Sequence, residues 1–168
     1  YANFEVCVVS ELAQAGLTDY EGIPKFRLVL FNGTAHEQLK AAEKMLNGAY
    51  FLQLLPGDLP APDALHMLVL QTHANPEAEV VFADEDSVID GIRQNPIFKP
   101  DYGRDTLRSF NSIGRPMLVS KRVHTAVGGF RGSTPAELWV YCIDCASAAK
   151  QVIHIARIGL TVIRDCDG

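Results

Sequence analysis

Glu79-Val80-Val81-Phe82-Ala83-Asp84-Glu85-Asp86 is the stretch that decides the fold. Val80 to Ala83 is a short apolar run bounded by charge, the pattern of a strand buried on both faces. Three consecutive acids follow it. In open α/β sheets ligands bind beyond the carboxyl ends of strands, so this reading puts Asp84, Glu85 and Asp86 where a site belongs. Carboxylate oxygens suit a hard divalent cation. The plainer alternative is a solvated acidic turn that ends a strand. Just downstream, Pro96-Ile97-Phe98-Lys99-Pro100-Asp101-Tyr102 is a stiff segment bracketed by prolines.

Working outward, strands and helices alternate. Phe4–Val9 and Lys25–Phe31 read as strands, the second ended by the turn pair Asn32-Gly33. From Thr34 to Leu46 the apolar residues Leu39, Ala42 and Leu46 recur at helical spacing, and Gly48 is a terminator. Tyr50–Leu55 is a strand stopped by Pro56-Gly57, and a helix runs from Pro62 to Thr72 with Leu65, Leu68 and Val69 facing inward. Met117–Ser120 is a further strand, followed by a short helix over Arg122–Val127 and the breaker Gly128-Gly129. A helix over Ala136–Ala149, a late strand Gln151–Ile155 and a short extended piece Thr161–Ile163 complete the pattern. The alternation predicts an α/β fold with a largely parallel sheet.

At 168 residues the chain is long enough for one core and too short for two comfortable domains. Apolar content of 48% beside 21% charged residues is ordinary globular composition. A net charge of -5 and a pI near 5.5 argue against a general nucleic-acid or anionic-membrane binder. No apolar run approaches the roughly 18 residues of a membrane-spanning helix. The expected setting is cytoplasmic, with the inner membrane face reached through a partner or a further segment. Cys142 and Cys145 have C-x-x-C spacing, but no second such pair or H-x-x-x-H supplies the rest of a zinc site. They read as structural, reduced thiols on a buried helix. Trp139 reads as core, and His36, His66, His73 and His124 show no metal-ligand spacing.

Several motifs in ordered succession resemble family 2 glycosyltransferases, in particular bacterial enzymes of surface-polysaccharide assembly. The residues that carry the resemblance are Asn3-Phe4-Glu5-Val6, Gly48-Ala49-Tyr50-Phe51, Ala61-Pro62-Asp63-Ala64-Leu65, Ala83-Asp84-Glu85-Asp86, Pro96–Asp101, Ser109–Gly114, Gly128–Arg131 and His154-Ile155. The resemblance extends from Phe4 to about Arg164. It implies a GT-A, three-layer α/β/α domain with a mostly parallel mixed sheet, a nucleotide-diphospho-sugar donor, a glycan or lipid-linked acceptor, and a manganese or magnesium ion if the domain is active. It also implies a first strand in the middle of the sheet, ahead of Phe4. This sequence starts too late to contain it: either that strand is cropped or lost, with 1–168 expected to be one domain of a longer protein, or Phe4–Val9 takes the central position.

Where such enzymes keep their chemistry, this sequence departs from them. The metal motif falls on Leu55-Pro56-Gly57-Asp58, leaving Asp58 as its one acid. The segment that carries the base falls on Glu137-Leu138-Trp139-Val140-Tyr141, with both expected aspartates apolar. An acidic pair that ends the second strand falls on Ser10-Glu11, and of a carboxyl-terminal His and Arg only Arg164 persists. On this resemblance Glu137 is the candidate base, Asp58 the candidate metal ligand, and Glu11, Asp84, Glu85, Asp86 and Arg164 the candidate nucleotide-sugar residues. For Glu137 the competing role is a first-turn acid at a helix N-terminus. The expected function is an impaired or inactive transferase domain. The alternative is a non-catalytic module that binds a glycan, a nucleotide or a partner domain in the same polypeptide, and a purely structural module is the third.

Overall fold

The computed structural model describes residues 3–10 and 24–163. Eight strands and five helices follow in the order β1 (Val6–Ser10), β2 (Phe26–Leu30), α1 (Ala35–Glu43), β3 (Tyr50–Leu52), β4 (Asp58–Pro60), α2 (Ala64–Ala74), β5 (Ala78–Ile89), β6 (Ile92–Ile97), α3 (Arg104–Ser109), β7 (Met117–Ser120), α4 (Lys121–Ala126), α5 (Pro135–Ala148) and β8 (Gln151–Ile163). None of these helices is long and apolar enough to cross a membrane.

The middle strand is β5, and its side-chain alternation builds both cores. Val80 and Phe82 point to one side, where they pack with Phe51, Val119, Val123, Phe130, Tyr141 and Cys145 under α3, α4 and α5. Val81 and Ala83 point to the other and meet Met67, Leu68 and Val69 of α2. Neighbouring β7 divides likewise, with Met117 and Val119 on the first face and Leu118 on the second. This is the period-2 logic of a strand covered on both faces, and it produces the three layers.

The main sheet has the order β3-β7-β5-β8-β4, with β6 pairing β5 beyond the reach of β7. Here the largely parallel sheet expected from the sequence gives way to a mixed sheet dominated by antiparallel pairs. Among the described residues β5–β8 is its one parallel pair; β3–β7, β4–β8, β5–β6 and β5–β7 are antiparallel. One reversal, that between β5 and β6, is at Asp90-Gly91. Both residues have positive φ (52° and 74°), the geometry of a tight two-residue hairpin. The chain turns back there, and β7 then enters the sheet against β5.

The acidic triplet does not end a strand. β5 continues through it to Ile89, and the register with β8 slips between Ala83 and Asp84 and again between Asp84 and Glu85. Likewise, the two late extended pieces are one strand, β8. The short β4 and the solvent-exposed β6 were not foreseen.

β1 and β2 pair in parallel as a separate two-stranded sheet. Among the described residues no strand joins β1 to β3. Helix α1 links the two bodies: it contacts β1 and is held to the main domain through Glu43. The Glu43 carboxylate accepts hydrogen bonds from Lys40 Nζ (2.9 Å) and the Phe130 amide (2.6 Å), and His124 Nε2 lies 3.3 Å away. His124 is itself buried, stacked on Phe51 and hydrogen-bonded to the Tyr141 hydroxyl at 2.7 Å. Burial acts to raise the Glu43 pKa, but these partners outweigh it and hold it down at about 2, from an ordinary 4.5.

A carboxyl depressed on folding contributes stability that is fully present above its unfolded pKa and is lost as pH falls through the folded value. Wild type is therefore expected to lose the Glu43 contribution between pH 4.5 and about 2. In urea denaturation, the stability difference between wild type and Glu43→Gln should be largest near neutrality and shrink across that interval. A difference independent of pH would show that Glu43 does not hold α1 in this way.

Candidate functional site

The candidate site is built around Arg115 in the loop before β7, which bonds to Asp58 at the start of β4 and Glu85 of β5 and lines a pocket with residues of α5. Each acid of the triplet is engaged by a group of the protein itself. Asp84, 1% exposed, accepts the Lys99 backbone N–H at 2.9 Å and faces His154 Nε2 at 2.8 Å. The other nitrogen of His154 lies 3.2 Å from Asp101, and its ring stacks on Phe82. Glu85 takes the Lys99 ammonium at 3.1 Å and the Arg115 backbone N–H at 3.3 Å. Asp86 is paired with Arg93 of β6 at 2.7 Å.

Lys99 is the hub. Its side chain is 4% exposed, and its three donors go to Glu85, the Ala83 carbonyl (2.7 Å) and the Arg115 carbonyl (2.6 Å). Burial lowers the Lys99 pKa, and the Glu85 carboxylate works against that shift. Gly114, at φ +53°, sits against this cluster: a Cβ there would lie 3.3 Å from the Glu85 carboxylate and 3.5 Å from the Lys99 ammonium. Its amide is fixed by Asn111 Oδ1 at 3.0 Å.

Asp58 opens β4 with its side chain wholly buried. One oxygen accepts the Leu55 N–H at 2.8 Å and is ion-paired to the Arg115 guanidinium. The other is buried with no protein partner among the described residues. Magnesium and manganese favour six oxygen ligands in octahedral geometry. A single carboxylate already neutralised by an arginine does not provide that set. Among the described residues no group of three or more His, Cys, Asp or Glu side chains is placed to hold a metal ion. The residues present at this position therefore do not fit a divalent cation.

Glu137 stands in a capping box at the start of α5. Its carboxylate accepts from the Thr134 hydroxyl (2.6 Å) and amide (3.1 Å), while the Thr134 hydroxyl accepts the Glu137 N–H. The hydrogen bonds from Thr134 lower its pKa. A Cβ on Gly132 would collide with this carboxylate, so glycine is what lets it fold back. Leu138, the next residue, lines a shallow open pocket with Tyr141 and Cys142 one turn on and with Gln53, Gly114, Arg115, Met117 and Phe130. The expected base position thus presents an apolar side chain.

Cys142 and Cys145 are buried free thiols, each pushed up to about 12 by burial, as structural cysteines should be. Trp139 donates its indole N–H to the Leu107 carbonyl at 2.7 Å. Glu11 and Arg164 lie outside the described residues. The structure thus brings Asp58, Glu85 and Lys99 to one place through Arg115, and leaves Glu137 in its helix cap. Arg115 went unnoticed in the sequence because nothing in Gly114-Arg115-Pro116 marks a charge that reaches another strand.

In three solved dimensions the likeness is clear. TarS of S. aureus superposes on 95% of this chain with a TM-score of 0.75 at 14% identity, over 51% of that chain. A mannosyltransferase of Pyrobaculum calidifontis, solved with GDP-Man and Mn2+, superposes on 95% of this chain with a TM-score of 0.58 at 18% identity, over 47% of that chain. The fold is that of GT-A glycosyltransferases.

Among curated proteins, y4gI of Sinorhizobium fredii (strain NBRC 101917 / NGR234) is 31% identical over 94% of this chain and 19% of its own length. The O-antigen biosynthesis protein RfbC of Myxococcus xanthus is 36% identical over 60% of this chain and 8% of its own. The chain thus spans about a fifth or less of these relatives. No protein-family model matches it.

Replacing Lys99 should be costly, because it leaves Glu85 and two carbonyls buried without their donor. Lys99→Met is expected to destabilise by about 3–5 kcal/mol, the range for breaking a buried pair on one side. Asp101→Asn, at a side chain 95% exposed, should change stability by less than about 0.5 kcal/mol. Urea denaturation of both variants checks the contrast, and equal effects would contradict it.

Proposed function

We propose that this chain is a glycosyltransferase-type domain of a polysaccharide-biosynthesis protein, keeping a cleft for a nucleotide-diphospho-sugar while its own sugar transfer is impaired or lost. One observation carries the reading: the candidate carboxylates are already committed to groups of the protein. Asp58 is closed by Arg115, the triplet Asp84-Glu85-Asp86 by Lys99, His154 and Arg93, and Glu137 by its helix cap.

Transfer needs a base on the acceptor hydroxyl and a positive charge on the departing diphosphate. Loss of a general base alone costs about 10²–10⁴-fold in rate. Leu138 cannot act as a base, and Glu137 is expected to stay in its cap. The mannosyltransferase with the same fold holds GDP-Man, which supports a nucleotide-sugar as the ligand class here. The RfbC likeness supports a setting in polysaccharide assembly. Because both relatives are several times longer, the acceptor glycan and a partner domain in the same polypeptide belong to the proposal as well.

The test is diphosphate release from UDP-glucose, UDP-N-acetylglucosamine and GDP-mannose in manganese, with and without glycan acceptors. The expected rate equals the protein-free control, for wild type and for Glu137→Gln alike. Turnover by wild type that disappears in Glu137→Gln would overturn the proposal.

A further inference from the structure

We infer that Arg115 is a built-in cation of the cleft, and that it receives the diphosphate of a nucleotide ligand without a divalent metal. This deepens the proposed function and rests on its ligand class.

Three features lead there. First, the acid that the sequence resemblance puts at a metal motif is already neutralised: Asp58, with a wholly buried side chain, carries the Leu55 N–H and the Arg115 guanidinium on one oxygen. A dication would have to displace that guanidinium or lie against its positive charge. Second, among the described residues the one side-chain partner of the Arg115 guanidinium is Asp58, on Nη1, which leaves its other N–H groups to face a ligand. A planar fork with spare donors, part-buried at 19% exposure, is suited to phosphate oxygens. Third, Arg115 is aimed by its own backbone. Its N–H is held by Glu85 and its carbonyl by Lys99, so the acidic triplet anchors the loop that carries the guanidinium. It lines the pocket together with Gln53 and Gly114.

Lys99 does not share this role, because all three of its donors are used inside the protein. Arg115 therefore acts on the ligand, and Lys99 and Glu85 are positioning residues behind it. A single arginine fork predicts modest affinity that weakens as salt rises.

Calorimetric titration with inorganic pyrophosphate, UDP and GDP, in EDTA and again in manganese chloride, tests the inference, with free Mn2+ followed by electron paramagnetic resonance. The expected result is binding of at least one nucleoside diphosphate in EDTA, with a Kd within about threefold of that in manganese, and an aqueous Mn2+ signal undiminished by the protein. The inorganic pyrophosphate arm tells the diphosphate contribution from that of the nucleoside. Arg115→Lys keeps a charge against Asp58 and should bind at least about threefold more weakly, since it lacks the fork. The neutral pair Asp58→Asn with Arg115→Gln should bind at least about tenfold more weakly. Binding that requires manganese, a Mn2+ signal quenched by wild type and restored in Asp58→Asn, no diphosphate binding under either condition, or an unchanged affinity of Arg115→Lys would each overturn it. Binding that requires manganese, or an unchanged Arg115→Lys, overturns this inference and leaves the proposed function standing; turnover of donor sugar overturns the proposed function alone; absence of binding under both conditions overturns both.

Discussion

A lysine ammonium enclosed by the Ala83 carbonyl, the Arg115 carbonyl and the Glu85 carboxylate ties the middle strand to the loop before β7. Desolvating that charge costs several kcal/mol unless every donor is matched, and here each donor is. The cluster therefore admits essentially one arrangement of Gly114 and Arg115. The same lysine's amide fixes Asp84, which in turn faces His154 on β8. Through one residue the strand, the loop and the neighbouring strand are held in register beside the cleft.

That arrangement changes what the acidic triplet means. Carboxylates beyond a strand suggest a cation site, but these lie on a continuing strand at a slipped register and are partnered from within. Asp58, the acid left at the expected metal motif, is closed by an arginine from a different strand connection. The layers and both cores of the GT-A fold are present around β5, while Asp58, Glu85 and Glu137 are each bonded to groups of the protein itself. A fold does not by itself carry a chemistry, because function resides in the site set on it.

Much of the architecture was legible in the sequence because burial has a period. Val80–Phe82 and Met117–Val119 alternate between two cores, and the capping box of Thr134 and Glu137 marks the start of α5. Strand direction was less legible. Alternating helices and strands suggest parallel pairing, whereas β3–β7, β4–β8, β5–β6 and β5–β7 are antiparallel, and Asp90-Gly91 marks just one of those reversals. The side-chain partners were the least legible. Asp58 and Arg115 are 57 positions apart, and Glu85 and Arg115 are 30 apart, so no local pattern encodes those pairings. Glu137 was legible both as a base and as a cap; its hydrogen bonds to Thr134 place it in the cap.

The most direct test of this account is anomalous diffraction from crystals soaked in manganese chloride and a nucleoside diphosphate. The account predicts no manganese peak within bonding distance of Asp58, Asp84, Glu85 or Asp86, and Arg115 still paired with Asp58. A manganese peak bridging Asp58 and the diphosphate, with the Arg115 guanidinium displaced, would contradict it.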